Sequence, residues 1–289
     1  MNKTADGGNE KMMIIGEYNK LKVSKKVEFG YYLEDEFGDE VLLPNSAAKE
    51  HEIKEGDKLE VFIYRDSKDR LISTLKKPLV TVGQIAYLEV VSQNNIGAFV
   101  NIGLERDLFV PLREQAFKLK EGKKYLFYMY VDKTDRLAGT TRIDSHLDLA
   151  EIGKYKSSDE ISAIVYDTCE NGTLNVMIDG KYRGLILANE HFEYIHPGEE
   201  IQARVKIVYE DGTLGITTRK KRLDEREVLT EKILTYLKEN GGFMPFNDKS
   251  SSEDIKKEFN TSKNYFKMTL GGLMKQKLIT QDKEGTRLL

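Results

Sequence analysis

Among the side chains able to do chemistry, the aromatic ones fall in a pattern and the catalytic ones do not. Phe29, Tyr31 and Tyr32 cluster around Gly30, and Phe99 follows Gly97 in the segment IGAFV. Exposed rings beside a glycine turn can stack on flat unsaturated ligands, nucleobases above all, each stacked base contributing about 1–3 kcal/mol. Alternation along a strand sends Tyr31 and Tyr32 to opposite faces, so one of the two belongs to a core. The reagents of catalysis lack such order. His51, His146, His191 and His196 are scattered, and His191 with His196 has no third ligand close by. The single cysteine, Cys169, allows no intramolecular disulfide and reads as a buried small hydrophobe. No phosphate-binding glycine loop, dinucleotide fingerprint, His-Glu-x-x-His or Cys-x-x-Cys occurs. Acids alternate with lysines and do not cluster as a hydrolytic metal site requires. The pattern points away from an enzyme and from any metal or organic cofactor.

Composition narrows the setting. The 289 residues are 39% hydrophobic and 32% charged, as in a soluble globular chain. No run approaches the roughly 18–20 apolar residues that span a bilayer, so no membrane is expected as a partner. Residues 1–11, MNKTADGGNEK, read as a disordered leader without the apolar centre of a signal peptide, which places the chain in the cytoplasm. The formal net charge of −3 counts weakly against nucleic acid, although a near-neutral total can hold local basic faces.

The elements that must position the aromatics come in repeats. Gly16, Gly30 and Pro44 recur as Gly83, Gly97 and Pro111 at an offset of 67. KEGDKLEVFIYRDSKDRLIST (54–74) then matches KEGKKYLFYMYVDKTDRLAGT (120–140) at an offset of 66. A weaker third copy spans about 158–221, where Leu214 and Thr217 match Leu137 and Thr140. Each copy reads as five short strands, in the second QIAYLEVVSQ, GAFVNIG, DLFVP, KKYLFYMYVD and RLAGTT, with a helical turn expected in LREQAFKLKEG. Five strands in about 65 residues suit a small closed barrel of the OB type.

From Leu223 the period changes. EREVLTEKILTYLKENGG carries an apolar stripe ending at Gly241-Gly242, a helix C-cap, and SSSEDIKKEFN follows with Ser252 as N-cap. Ser262 is placed to cap a third helix with Phe266, Leu270, Leu273, Met274 and Leu278 on one face. Two short strands around Lys283-Glu284-Gly285 complete the winged-helix order. The expected fold is mainly β: a leader (1–11), barrels at 12–77 and 78–143, a linker (144–157), a degenerate barrel (158–221) and an α+β winged helix (222–289).

The segment IGAFVNIGLERDLFVP with KEGKKYLFYMYVDKTDRLAGTT resembles the RNA-binding domain first described in ribosomal protein S-one. That family shows an aromatic-Gly-Ala-Phe-Val turn, a Gly-Leu-Val-His-Ile-Ser-like strand and a final Asp-x-x-x-Arg strand pair. The whole chain, about 12–289, resembles the conserved virulence factor B family of Gram-positive bacteria, through its domain order and its paired VLLPNSAA and LFVPLREQ segments. The resemblance implies stacking aromatics at Phe29 and Tyr32 in the first repeat, and at Ile96 and Phe99 in the second, where one ring is missing. It also implies Asp66 holding Arg70, and Asp132 holding Arg136, each Arg meeting a phosphate or a base. Leu43 and Val110 replace the usual histidine. The third repeat has Asn171 and Leu174 at the aromatic positions and Thr213 at the arginine position. Binding there would fall to Lys181, Arg183, Arg204 and Lys206, with the run Arg219-Lys220-Lys221-Arg222 suited to a phosphate backbone. The third helix is expected to carry Lys263, Lys267, Lys275 and Lys277, which would meet phosphates if the winged helix read DNA.

Three functions follow. A non-catalytic regulator would bind single-stranded RNA on the barrel aromatics, and the resemblance adds post-transcriptional control of virulence genes. A transcription factor would work through the winged helix on DNA. A protein scaffold would need neither.

Overall fold

The structure, a computed structural model, describes residues 13–48, 51–191, 193–219 and 222–289. The expected leader lies outside them. The described chain forms two compact units that part near Asp148.

The first unit holds two barrels. Barrel 1 comprises β1 (Tyr18–Val27), β2 (Gly30–Glu34), β3 (Glu40–Pro44), a single helical turn α1 (Asn45–Ala48), β4 (Lys58–Arg65) and β5 (Leu71–Thr74). Barrel 2 repeats the order with β6 (Ile85–Gln93), β7 (Gly97–Val100), β8 (Leu108–Pro111), β9 (Lys124–Val131) and β10 (Leu137–Thr140). The expected helical turn is a 3-10 turn at Leu112–Glu114. The first barrel closes in the order β1-β2-β3-β5-β4, with only β3 and β5 parallel, so no strand edge is left open. Alternation explains which residues enter the core. Leu21, Val23, Leu33, Val41 and Leu43 point inward, and the lysines between them on β1 point out.

Gly30 and Gly97 recur because β2 and β7 run very close to their neighbours. A Cβ on Gly30 would lie 2.2 Å from the Leu43 carbonyl oxygen, and one on Gly97 would lie 2.4 Å from that of Val110. Backbone cannot step aside as a side-chain end can. Gly30→Ala and Gly97→Ala are each expected to lower unfolding stability by roughly 1–3 kcal/mol in urea titration. Gly271, which has open space around it in a helix, is the contrast: Gly271→Ala is expected to stabilise by up to about 1 kcal/mol.

The two barrels share apolar packing. Phe62, Tyr64 and Ile72 of barrel 1 belong to the same buried cluster as Leu88, Val90, Val100, Val110 and Phe127 of barrel 2. The remainder of barrel 1 closes over Leu21, Leu33, Leu43, Val61 and Ile63.

The second unit holds barrel 3 and the winged helix. Barrel 3 comprises β11 (Glu160–Thr168), β12 (Leu174–Ile178), β13 (Tyr182–Ile186), β14 (Glu200–Val208) and β15 (Leu214–Thr217), closed in the order seen in barrel 1. The expected linker is partly helical, with a 3-10 turn at Asp144–His146. It is more than a connector, since Ala150 and Tyr155 sit in the core of barrel 3.

The winged helix follows with α2 (Arg222–Glu239), β16 (Phe243–Met244), α3 (Ser252–Phe259), α4 (Lys263–Lys275), β17 (Ile279–Gln281) and β18 (Thr286–Leu288). Leu229, Ile233, Leu237, Ile255, Phe266 and Leu270 form its core. Ser262 caps α4 by accepting from the Tyr265 N–H, as the spacing predicts. The cap of α3 is Ser251, one residue before the expected Ser252, because its side chain accepts from the Asp254 N–H three positions on. Met274 and Leu278 do not share the buried face: Met274 is 40% exposed at the end of α4, and Leu278, 39% exposed, lies beyond the helix together with Lys277, whose left-handed backbone (φ 58°) cannot continue it. The two-residue strand β16, which pairs with β18, is not legible in the hydrophobic pattern.

Candidate nucleic-acid interface

In barrel 1 the β1–β2 hairpin presents the aromatics. Phe29 sits in the turn and is 56% exposed; the Tyr32 ring meets it edge to face at 6.5 Å. Tyr31 turns the other way and packs against the core with Leu33 and Leu43, so Tyr32 is the outward member of the pair. Each tyrosine carries a cation from the facing strand: Lys25 lies 4.7 Å from the centre of the Tyr32 ring and Lys26 lies 5.6 Å from that of Tyr31. Lys25 also holds Glu40 at 3.0 Å, and this hydrogen bond lowers the Glu40 pKa.

In barrel 2 the exposed Ile96 occupies the place of Phe29, and Phe99 that of Tyr32. The second ring comes from another strand. Phe109 on β8, where barrel 1 has Leu42, stands 5.3 Å from Phe99 in a tilted pair. Sequence reasoning missed Phe109 because the strand DLFVP reads as ordinary core, although its alternation with buried Leu108 and Val110 faces it outward.

Register also corrects the third repeat. A bulge in the first strand recurs in all three barrels, and just beyond it Lys25 faces Tyr32, Ser92 faces Phe99, and Asp167 faces Asn175. The position equivalent to Phe99 is therefore Asn175. Leu174, the expected position, is 1% exposed in the core of barrel 3. Asn175 donates to the Cys169 sulfur at 3.5 Å, and Cys169 is half-buried, not the fully buried residue expected.

The Asp-x-x-x-Arg turns behave unequally. Asp66 accepts from Arg70 through two guanidinium nitrogens, at 2.8 and 2.6 Å. Burial works to raise the Asp66 pKa, but the bonds from Arg70 and from the backbone of Arg70 and Lys68 outweigh it and the net shift is downward. Asp132 instead accepts through its Oδ1 from Thr134 and from the backbone N–H of Arg136. The Arg136 guanidinium crosses to the preceding repeat and donates to Asp69 at 2.9 Å, which lowers the Asp69 pKa. Arg65 crosses the other way to the Asp135 carbonyl at 3.0 Å. Asp69 and Asp135 occupy left-handed backbone, φ 64° and 56°, where the third repeat has Gly212. The two turns thus clasp each other, a feature that the family pattern of Asp and Arg within one repeat does not contain.

The secondary basic candidates that are described fall on several elements and make different contacts. Lys181 lies over Tyr182 at 5.5 Å, Arg183 is half-buried, and Lys206 pairs with the buried Glu190. Arg204 donates to the Arg219 carbonyl, while the Arg219 guanidinium stands 5.3 Å from the Tyr265 ring of α4. Lys220 and Lys221 lie outside the described residues, and Arg222 opens α2. Lys263 donates to the Lys249 carbonyl at 3.4 Å, and Lys267 and Lys275 are exposed. Among the described residues no cluster of three or more His, Cys, Asp or Glu is arranged to hold a metal ion, and no helix is long and apolar enough to cross a membrane.

Comparison with known proteins follows these features. Residues 15–76 and 82–142 match the S1 domain family, and residues 231–288 match the CvfB-like winged helix domain. The uncharacterized protein YitL of Bacillus subtilis (strain 168) is 31% identical over 274 residues, covering 92% of this chain and 91% of that protein. Conserved virulence factor B of Staphylococcus epidermidis is 29% identical over 279 residues, 92% of each chain. A crystal structure of a multidomain protein with nucleic acid binding domains from Streptococcus pneumoniae is 29% identical. It superposes with a TM-score of 0.51 over 95% of this chain and 98% of that one.

Proposed function

This chain belongs to the conserved virulence factor B family, and on that footing we propose that it binds single-stranded RNA without catalysis, in post-transcriptional control of gene expression in the bacterial cytoplasm. The observation that carries the reading is the outward aromatic pair on each of the first two barrels, Phe29 with Tyr32 and Phe99 with Phe109. Bases stack on such rings whatever their identity, and nearby cations such as Lys25 meet the phosphates. RNA is favoured over duplex DNA because a duplex hides its base faces inside its own stack. The relatives named for virulence suggest which genes are regulated.

A second reading gives the winged helix the leading part, with Lys267 and Lys275 of α4 on duplex DNA; it rests on their exposure. The test is a titration of the full chain with fluorescent poly-U, poly-A, single-stranded DNA and duplex DNA at two salt concentrations. Tightest binding to single-stranded RNA, weakened by Phe99→Ala, is the expected result. Preference for duplex DNA, indifferent to Phe99→Ala, would transfer the function to the winged helix. Absence of binding at low salt would leave a protein scaffold.

A further inference from the structure

The aromatic face of barrel 2 is walled on one side by barrel 1. A pocket of about 440 Å³ lies over Phe99 and Phe109, with Ile96, Leu137 and Ala138 beside them. Its remaining lining includes Tyr64 and Arg65, which end β4 of the preceding repeat. That wall is fixed by two kinds of contact already described. Tyr64 is buried in the apolar cluster common to both barrels, and burial pushes its hydroxyl pKa up to about 12, so it stays neutral. Arg65 is fastened to the Asp135 carbonyl, and Arg106 of barrel 2 donates to the carbonyls of Arg65 and Asp66.

The lining has the chemistry of a nucleotide. Two tilted rings offer an apolar floor for a base, and Arg106 and Arg136 bring guanidinium groups for a phosphate. Three carboxylates also line it. Asp132 uses its Oδ1 within its own turn and Glu105 pairs with Lys76 at 3.4 Å. Asp107 and the Asp132 Oδ2 remain as acceptors for a base N–H, and their charge directs the phosphate toward the arginines. The volume is at the small end of ligand pockets, about 300–1,000 Å³, and suits one nucleotide better than a run of strand.

We propose that barrels 1 and 2 jointly form a pocket for a single nucleotide of the bound RNA, its base on Phe99 and Phe109 and its phosphate on Arg106 and Arg136. This rests on the RNA-binding reading above and adds that barrel 2 does not bind as an independent module. Barrel 1 meets bases at an open surface on Phe29 and Tyr32; barrel 2 encloses one.

The test uses the full chain and a uridine oligomer carrying one 2-aminopurine, read by anisotropy for affinity and by fluorescence for the environment of the base. Drawing the base out of its neighbours' stack should brighten it. Phe109→Ala should reduce the brightening and weaken binding about 5-fold or more. Arg65→Met keeps every ring of the pocket and both phosphate arginines and takes the barrel 1 guanidinium out of the wall; it should reduce the brightening too, with an unchanged circular dichroism spectrum. If Arg65→Met brightens as the wild type does while Phe109→Ala loses the brightening, barrel 2 stacks the base alone and the shared pocket is wrong. If RNA binds but no variant alters the brightening, the pocket again fails while RNA binding stands. If the oligomer does not bind at all, both readings fall.

Discussion

Phe29→Ala and Tyr32→Ala, made together, are expected to weaken single-stranded RNA binding by about 30-fold or more, two stacked bases at a minimum of about 1 kcal/mol each. The melting temperature should scarcely move, because Phe29 is 56% exposed in a turn and Tyr32 faces outward. Tyr31→Ala is the internal control. Its ring packs against the core of barrel 1, so its removal should lower stability and leave the stacking surface in place. Fluorescence anisotropy with a labelled uridine oligomer, paired with thermal melts, separates the two effects. Equal affinity for wild type and double variant would remove barrel 1 from the binding surface.

Phe266→Ala should have the largest effect on stability, about 3–5 kcal/mol. Phe266 is 0% exposed and its ring lies 5.0 Å from that of Phe259, so alanine leaves a void bounded by α2, α3 and α4. The loss should be confined to the winged helix, whose core cluster is separate from those of the barrels. In a urea titration followed at the helix band, an early transition should separate from the β signal. The same protein measured at a urea concentration between the two transitions tells whether RNA binding needs the winged helix. An unchanged midpoint would mean that Phe266 is not the keystone of this core.

The repeats are legible in the sequence because turn chemistry is local. Gly16, Gly30 and Pro44 return as Gly83, Gly97 and Pro111, and the KEG turns return with them, whatever happens to the side chains between. Barrel 3 has the strand rhythm without rings at the stacking positions, so its architecture is legible and its register is not. The connection between its first two strands is one residue longer, with seven positions from Lys25 to Tyr32 and from Ser92 to Phe99 but eight from Asp167 to Asn175, and a motif aligned without that extra residue lands on Leu174. Phe109 was hidden in a strand that resembles core from either face. The clasp could not be read at all. Arg136 and Asp69 lie 67 positions apart, and no periodicity says that two equivalent turns of successive repeats will meet. The motif alone therefore points Arg136 to Asp132, its neighbour in the same turn.

The left-handed turns at Asp69 and Asp135 have a kinetic consequence. Glycine would adopt that backbone with less strain, as Gly212 does in barrel 3, but it would carry no carboxylate for the arginines opposite. The strain is accepted where it fastens two faces at a set separation. If both faces bind RNA as proposed, a strand that slips from one remains tethered at the other, within reach of recapture, before it can diffuse away. Release of a long RNA should consequently be governed by simultaneous detachment and show a residence time far beyond that of a short oligomer, whereas the two should be captured at similar rates.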